Sequence, residues 1–215
     1  MQKIKPKNQL RFCWWGAEEI GLLGSYAYVN SLTPEQLKAI ALNLNFDMLG
    51  SPNFFRGVYY GGAPTVDPRI RTASGNIQKI FEEYFKITTL AFDLTPFNGR
   101  SDYGPFIEKL IPAGGLATGA EGIKTEEQAR IFGGEAGKPF DICYHRPCDT
   151  LNNVNLTALN QMGQGAAYTA HRLAMQDNLR EFLARPIVSA SKGFGAYSPS
   201  VTSIGFEKNK KVHQQ

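Results

Sequence analysis

The apolar residues of this chain fall into short runs that end on acidic side chains, and these runs alternate with segments of helical spacing. The runs Leu10–Trp15 (LRFCWW) and Ile40–Asp47 (IALNLNFD) have the length and apolar content of buried strands. The first leads to Glu18 and Glu19, and the second ends on Asp47. The pattern therefore predicts two central strands with carboxylates at their carboxyl ends.

Helical spacing marks most of the remaining chain, and the strand at Ile111–Thr118 lies between such segments. The predicted helices are Gly21–Ser31, a short helix capped by Thr33 and opened by Pro34, Asn76–Phe85, Tyr103–Leu110, and a helix from Leu156 to about Gln176 capped by Asn155. This alternation predicts an α/β fold, a three-layer sandwich with a mostly parallel central sheet flanked by helices. Ligands bind beyond the carboxyl ends of strands in such sheets. We expect residues 1–183 to form this domain and residues 184–215 to form a poorly ordered tail.

The composition is typical of a folded globular chain, with 42% hydrophobic and 20% charged residues. The net charge of +4 comes partly from basic termini that lack interleaved aromatic residues, so we expect no nucleic-acid partner. No stretch approaches the roughly 20 apolar residues of a membrane span. Residues 1–15 also lack the features of a signal peptide, so we expect no targeting signal within the sequence as given.

Two of the three cysteines, Cys143 and Cys148, bound a short polar loop, CYHRPC, whereas Cys13 lies in an apolar run and is expected to be buried. Structural zinc takes four nitrogen or sulfur ligands, and only Cys13 remains to join the pair, so a disulfide is favoured over a thiolate site. A disulfide implies an oxidising compartment. The glycosylation acceptor sequence at residues 155–157 agrees with export.

The acidic residues and one histidine are candidates for metal binding, although each has a simpler explanation. One carboxylate after a strand is explained as a cap of the next helix, but two adjacent ones, Glu18 and Glu19, repel each other unless a cation or proton separates them. Asp47 would be costly to bury unpaired, and metal ligation is one remedy among several. His145 lies in the cysteine-bounded loop, and its spacing alone leaves a structural role and a ligand role open.

Four strings carry a resemblance to a known family: WWGAEEIGLLGS, NFDMLGSPN, FNGRSDYGPFIEKLIPAGGLATGAEGIKT and DICYHRPCDTL. Between about Lys7 and Gln176 they follow the order found in the two-zinc aminopeptidases, the family that includes fungal vacuolar aminopeptidase Y and secreted bacterial leucine-type aminopeptidases. The resemblance implies a Zn²⁺-dependent metallo-aminopeptidase that releases N-terminal, apolar residues from peptide substrates. It also implies a parent protein that is secreted, vacuolar or periplasmic.

Roles follow for individual residues. The resemblance makes Glu18 the general base, which takes a proton from the attacking water and returns it to the leaving amine. Glu19, Asp47 and His145 would be ligands in a site for two zinc ions. Tyr144 would hydrogen-bond the developing oxyanion.

Two further segments have implied supporting roles. The bridge between Cys143 and Cys148 would hold the geometry of the histidine loop. The backbone at Gly99 and Arg100 would lie beside the substrate amine. A surface ion pair between Arg100 and Asp102 is the alternative explanation for that arginine.

The family pattern also requires an earlier His-x-Asp segment with a further zinc-binding histidine and a bridging aspartate. No histidine precedes Glu18. The sequence therefore predicts a chain truncated at its N-terminus, with Glu19 and His145 left at one metal position and Asp47 at the other. The alternative is a catalytically inactive fragment or pseudopeptidase that acts as a binding or assembly protein.

Overall fold

A computed structural model describes residues 5–185 of the chain. In chain order its elements are α1 (Leu23–Ser31), α2 (Pro34–Ala39), β1 (Asn43–Phe46), β2 (Gly57–Tyr59), α3 (Pro68–Ile87), β3 (Asp93–Thr95), α4 (Gly104–Glu108), β4 (Ala113–Ala117), α5 (Glu126–Phe132), α6 (Leu156–Ala174) and α7 (Leu179–Ala184). Helices separate β2, β3 and β4, as the sequence pattern predicts, whereas β2 follows β1 without a helix between them.

The four strands form one sheet in the order β1-β4-β2-β3. β1 and β4 are parallel, as are β2 and β3, whereas β2 and β4 are antiparallel. In the β1–β4 register Asn45 lies opposite Gly115. The prediction of an α/β protein with a mostly parallel sheet flanked by helices is confirmed.

Helices cover both faces of the sheet. Successive side chains of a strand point to opposite sides, so two residues of β4 show which helices lie on each face. Leu116 packs with Ile77 and Phe81 of α3 and with Met162 of α6 in the largest core cluster. Ala113, three positions earlier in β4, belongs instead to a cluster with Tyr59 and Tyr103 beside α4. The sheet is therefore the middle of three layers.

Helix capping agrees with the sequence signals. Thr33 Oγ1 accepts a hydrogen bond from Gln36 N (3.3 Å), and the Gln36 side chain accepts one from Thr33 N (2.8 Å), which completes a capping box at α2. Asn155 Oδ1 accepts from Ala158 N (3.0 Å) and caps α6. These local side-chain to backbone bonds depend on nearby residues alone, which is why the sequence identifies them.

The segment Leu10–Trp15 does not form the strand that the sequence predicts. It lies outside the sheet, and Cys13, expected to be buried, is exposed. Apolar composition suits a segment to strand formation, but a strand also needs a hydrogen-bonded neighbour. In the sheet of the described residues β1 pairs with β4 and not with this segment.

Other elements fell in stretches where the sequence showed no periodicity. β2 lies within a Gly-, Pro- and Tyr-rich stretch, and β3, α5 and α7 are also short, with three, seven and six residues. Within residues 5–185 no helix has both the length and the apolar character needed to cross a membrane. The tail predicted for residues 184–215 lies outside the described residues from position 186 onward.

Candidate active site

The turn that carries Glu18 and Glu19 connects the extended N-terminal segment to α1. Ala17 has a positive φ of 58°, and the Glu18 carbonyl accepts hydrogen bonds from Gly21 N (3.1 Å) and Leu22 N (2.8 Å). Burial, followed by the negative charges of Asp47, Glu19 and Asp102, raises the pKa of Glu18 to about 7, although His145 opposes the rise. Glu18 is thus a carboxyl group that can exchange a proton near neutral pH.

Asp47 follows β1 directly and is held by a relay of two side chains. Ser101 Oγ donates to Asp47 Oδ2 (2.7 Å), and Asn45 Nδ2 donates to Ser101 Oγ (2.9 Å). Asn45 and Asp47 are two positions apart along the chain and therefore point to the same side of the sheet. The relay fixes the carboxylate of Asp47 in one orientation.

The loop that carries His145 is closed by a disulfide between Cys143 and Cys148, whose Cα atoms are 5.3 Å apart. The predicted pairing is confirmed. His145 has a φ of 56°, a left-handed conformation that few non-glycine residues adopt. At the root of the loop, Asp141 Oδ1 accepts from Cys143 N (2.8 Å) and from Asn153 Nδ2 (2.9 Å). The covalent bridge and these hydrogen bonds together hold the strained residue.

This loop brings His145 and Tyr144 to the acidic turn. His145 Nε2 lies 2.7 Å from Glu19 Oε1, and both side chains are more than half exposed. The rings of Tyr144 and His145 are stacked with centroids 3.8 Å apart. Burial and the charges of Glu19, Glu121 and Glu18 raise the pKa of Tyr144, so its hydroxyl remains a hydrogen-bond donor at neutral pH.

The donor atoms only partly match a zinc site. Glu19 and His145 present one oxygen and one nitrogen at the same place, and zinc accepts both types of ligand. However, within residues 5–185 no three His, Cys, Asp or Glu side chains converge as a metal-binding group. Asp47 therefore does not complete a three-ligand site with this pair in the described structure.

The turn at residues 98–101 lies beside these acids. The backbone N–H groups of Asn98 and Gly99 both donate to the Tyr103 hydroxyl oxygen (2.9 Å each), and Gly99 has a φ of 77°. The Arg100 guanidinium lies 3.8 Å from Glu121 Oε1, and both side chains are exposed. The alternative explanation of Arg100 as the partner of Asp102 in an ion pair is therefore wrong.

Asp102 instead is buried, with 8% of its surface exposed and Oδ1 without a hydrogen-bond partner. Burial raises its pKa, and the charge of Asp47 adds to the rise, whereas a hydrogen bond from Ser25 opposes it. Sequence reasoning missed Asp102, Ser101, Asn45 and Glu121 as members of this acidic region. The period-two spacing of Asn45 and Asp47 was the one local signal available.

Asp47 lies beyond the carboxyl end of β1, the place where ligands bind in α/β sheets, and the acidic turn meets the histidine loop at Glu19 and His145. Residues 1–170 match peptidase family M28, and the chain belongs to this family. It is 45% identical over 186 residues to leucine aminopeptidase 2 of Arthroderma otae, which covers 86% of this chain and 37% of that protein. It is also 45% identical over 175 residues to an aminopeptidase of Pseudomonas aeruginosa, covering 81% of this chain and 33% of that protein. The chain thus spans about a third of the length of these relatives.

Solved structures show the same fold. A zinc aminopeptidase from Bacillus subtilis superposes with a TM-score of 0.55 at 24% identity, over 75% of this chain and 35% of that one. The LapA aminopeptidase of Legionella pneumophila gives a TM-score of 0.54 at 20% identity, over 76% of this chain and 38% of that one. The α/β architecture is therefore shared with both.

Proposed function

We propose that this chain supplies the general base, zinc ligands and oxyanion donor of a zinc-dependent aminopeptidase that releases N-terminal, apolar residues from peptides. The main supporting observation is geometric: His145 Nε2 lies 2.7 Å from Glu19 Oε1, and Glu18, the residue next to Glu19 in the chain, is a carboxyl group available for proton transfer. The 45% identical relatives are named aminopeptidases. Their names support this reaction for the longer proteins.

Glu19 and His145 would bind one zinc ion and Asp47 the second ion of a two-zinc site. Bound zinc supplies Lewis acidity, which lowers the pKa of water towards neutrality and stabilises negative charge on oxygen. The relay from Asn45 through Ser101 to Asp47 keeps that carboxylate oriented for ligation.

The remaining side chains move a proton and bind charge. Glu18 takes a proton from the attacking water and later gives it to the leaving amine. The hydroxyl of Tyr144, which its raised pKa keeps protonated, donates a hydrogen bond to the oxyanion that develops on the scissile carbonyl oxygen. The Cys143–Cys148 bridge holds this donor in place.

The negative charge of the region favours a cationic substrate group. Glu18 and Asp47, with the backbone at Gly99 and Arg100, would bind the free N-terminal amine of a peptide. This requirement for a free amine separates an aminopeptidase from an endopeptidase. The disulfide supports a parent protein in an oxidising compartment, which would be the cell exterior, a vacuole or the periplasm.

The test uses two proteins: the 215-residue chain and a chimera in which residues 7–176 replace the aligned stretch of the Pseudomonas aeruginosa aminopeptidase. With zinc, the chimera is expected to release p-nitroaniline from leucine p-nitroanilide but not from its N-acetylated form. The 215-residue chain should give at most a trace, because its described residues bring no three metal donors together. Robust turnover by the 215-residue chain would refute the need for further ligands.

In the chimera, Glu18→Ala should lower kcat by about 10²- to 10⁴-fold while zinc content stays unchanged, since a general base is removed. Glu126→Ala, which removes an exposed acid at the start of α5, is the matched control and should leave kcat unaltered. Unchanged turnover in Glu18→Ala would refute the base role. Loss of zinc from that variant would assign Glu18 to ligation instead.

A further inference from the structure

A lysine that the proposed chemistry does not use is almost completely buried near the candidate site. Lys124 is 1% exposed, and its Nζ donates to Asn53 Oδ1 (3.2 Å), Phe54 O (2.7 Å) and Gly133 O (2.5 Å). An ammonium group has three donors, so each N–H has an acceptor. All three acceptors belong to neutral groups. Burial lowers the pKa of Lys124, which reflects the cost of desolvating this charge.

Asn53 connects the lysine to a second stretch of chain. Its Oδ1 also accepts from Glu135 N (2.9 Å), and its Nδ2 donates to Glu135 O (2.9 Å) and Pro139 O (3.0 Å). Its backbone N–H donates to Phe140 O (2.9 Å). The side chain of Asn53 thus uses both of its functional atoms, and it ties residues 133–140 to the segment that follows β1.

Gly134 completes this contact because only a residue without a side chain fits there. Its φ is 81°, and an added Cβ would lie 2.1 Å from Asn53 Oδ1 and 2.9 Å from Lys124 Nζ. We call Asn53, Lys124 and Gly134, with the carbonyls of Phe54 and Gly133, the lysine clamp.

The clamp joins the two parts of the chain that carry the proposed ligands. On one side, Asn53 lies six positions after Asp47 in the chain. Between them, the backbone N–H of Ser51 donates to Thr118 Oγ1 (3.0 Å) and holds this segment against the end of β4. On the other side, Pro139 and Phe140 lead directly to the disulfide loop with Tyr144 and His145. That loop is largely exposed, so its position depends on how its root is held.

We propose that Lys124 is a positioning residue, whose clamp sets the root of the 141–148 loop so that His145 and Tyr144 meet Glu19. The importance of this position for catalysis rests on the proposed function. The three acceptors of the Lys124 ammonium are protein oxygens, and Lys124 is 1% exposed, so the clamp acts by positioning the histidine loop rather than by contacting substrate. A charged ammonium suits this role, since hydrogen bonds from charged donors are stronger than those between neutral groups.

The experiment uses the 215-residue chain labelled with ¹⁵N-histidine, in which His145→Gln assigns one of the three imidazole signals. Lys124→Met removes the charge and its donors at similar volume. Gly134→Ala pushes Asn53 away by steric overlap, and it keeps the question answerable if Lys124→Met does not fold. In both variants the His145 ring resonances should shift or broaden, because the contact with Glu19 is altered, while the His171 resonances stay in place.

Two controls separate positioning from general loss of stability. Gly137→Ala introduces the same positive-φ strain as Gly134→Ala, also within residues 133–140. Its φ is 74°, but its Cβ would meet no atom within 4 Å. Ile80→Val weakens the α3 core away from the clamp. Neither should move the His145 signal. Amide exchange should rise by about 10-fold or more in residues 133–148 of the clamp variants, with α3 and α6 unchanged.

An unmoved His145 signal in both clamp variants, or an equal shift in Gly137→Ala, would overturn the positioning role. This readout does not depend on turnover. An inactive chimera with clamp-dependent His145 signals would refute the proposed function alone. An active chimera with a clamp-independent His145 would refute the positioning role alone.

Discussion

At the scale of single residues, Asp102 has a buried carboxyl group that its neighbours satisfy incompletely. Oδ1 has no hydrogen-bond partner, and the nearby charge is that of another carboxylate, Asp47. Both circumstances disfavour the ionised form, so the folded protein holds the proton of Asp102 more tightly than the unfolded chain does. The fold therefore loses stability when this group ionises.

The pH dependence of this effect has a definite sign. The pKa of Asp102 is raised in the folded state from its ordinary value of 3.8, so its stabilising contribution is fully present below that value. The contribution disappears as pH rises through the folded pKa. Asp102→Asn cannot titrate at this position, and its free energy of unfolding relative to the wild type should therefore increase as pH rises above about 4.

Urea unfolding followed by circular dichroism at several pH values measures this difference. Asp177→Asn, which alters a side chain that is 78% exposed, is the matched control and should show a much smaller trend. A difference between Asp102→Asn and wild type that is constant with pH would contradict the assigned burial of Asp102.

At the scale of elements, the sequence predicts structures that depend on local chemistry. The capping residues Thr33 and Asn155 act on backbone groups three positions away, so both helix starts are visible in the chain alone. The run Leu10–Trp15 differs, because strand formation depends on a partner distant in sequence. Apolar content alone could not supply that partner.

The residues of the candidate site likewise divide into those that the local sequence identifies and those that only the folded chain brings together. Glu18, Glu19 and Asp47 were identifiable because they follow apolar runs, and His145 because of its cysteine-bounded loop. Ser101 and Asp47, which are hydrogen-bonded in the relay, lie 54 positions apart in the chain. In the clamp, Lys124 lies 71 positions from Asn53 and 70 from Phe54. Such long-range hydrogen bonds leave no periodic signal, so only the folded structure identifies them.

The β1–β4 pairing depends on one glycine. A Cβ on Gly115 would lie 2.0 Å from Asn45 O, a backbone atom that cannot move without disturbing the sheet. Gly115→Ala should therefore lower the free energy of unfolding by about 1–3 kcal/mol or more, the usual cost of overpacking. Gly163→Ala is the control: this helical position in α6 has nothing within 4 Å, and the substitution should stabilise by up to about 1 kcal/mol.

Urea denaturation of the two variants gives both values. Equal effects of Gly115→Ala and Gly163→Ala would show that the strands do not approach each other this closely. A destabilised Gly163→Ala would show that this face of α6 is covered in solution.

At the scale of the whole molecule, exposed apolar side chains concentrate in the segment that leads into the acidic turn and α1. Phe12 is 70% exposed, Trp14 87%, Ile20 71% and Leu23 51%. Exposed apolar side chains that form a large patch mark a site of association more often than scattered ones do. The segment adjoins Glu18 and Glu19, so the apolar segment and the candidate site lie on neighbouring surface.

The two adjacent tryptophans test this surface directly, because they face opposite ways. Trp15 packs on Tyr28 and Phe106 with ring centroids 5.1 and 6.0 Å apart, whereas Trp14 is open to solvent. Trp15→Phe leaves Trp14 as the sole tryptophan and should give red-shifted emission that acrylamide quenches readily. Trp14→Phe should give blue-shifted, poorly quenched emission.

Trp14→Ala should change the free energy of unfolding by no more than about 0.5 kcal/mol, as surface changes do. Trp15→Ala should cost at least about 1 kcal/mol through its lost aromatic contacts. Equal quenching of the two single-tryptophan variants would mean that another surface covers Trp14 in solution. If dilution then restores the difference, the covering surface is a second copy of this chain; if it does not, residues of the same chain cover Trp14 and the exposed apolar surface is smaller than the fold indicates.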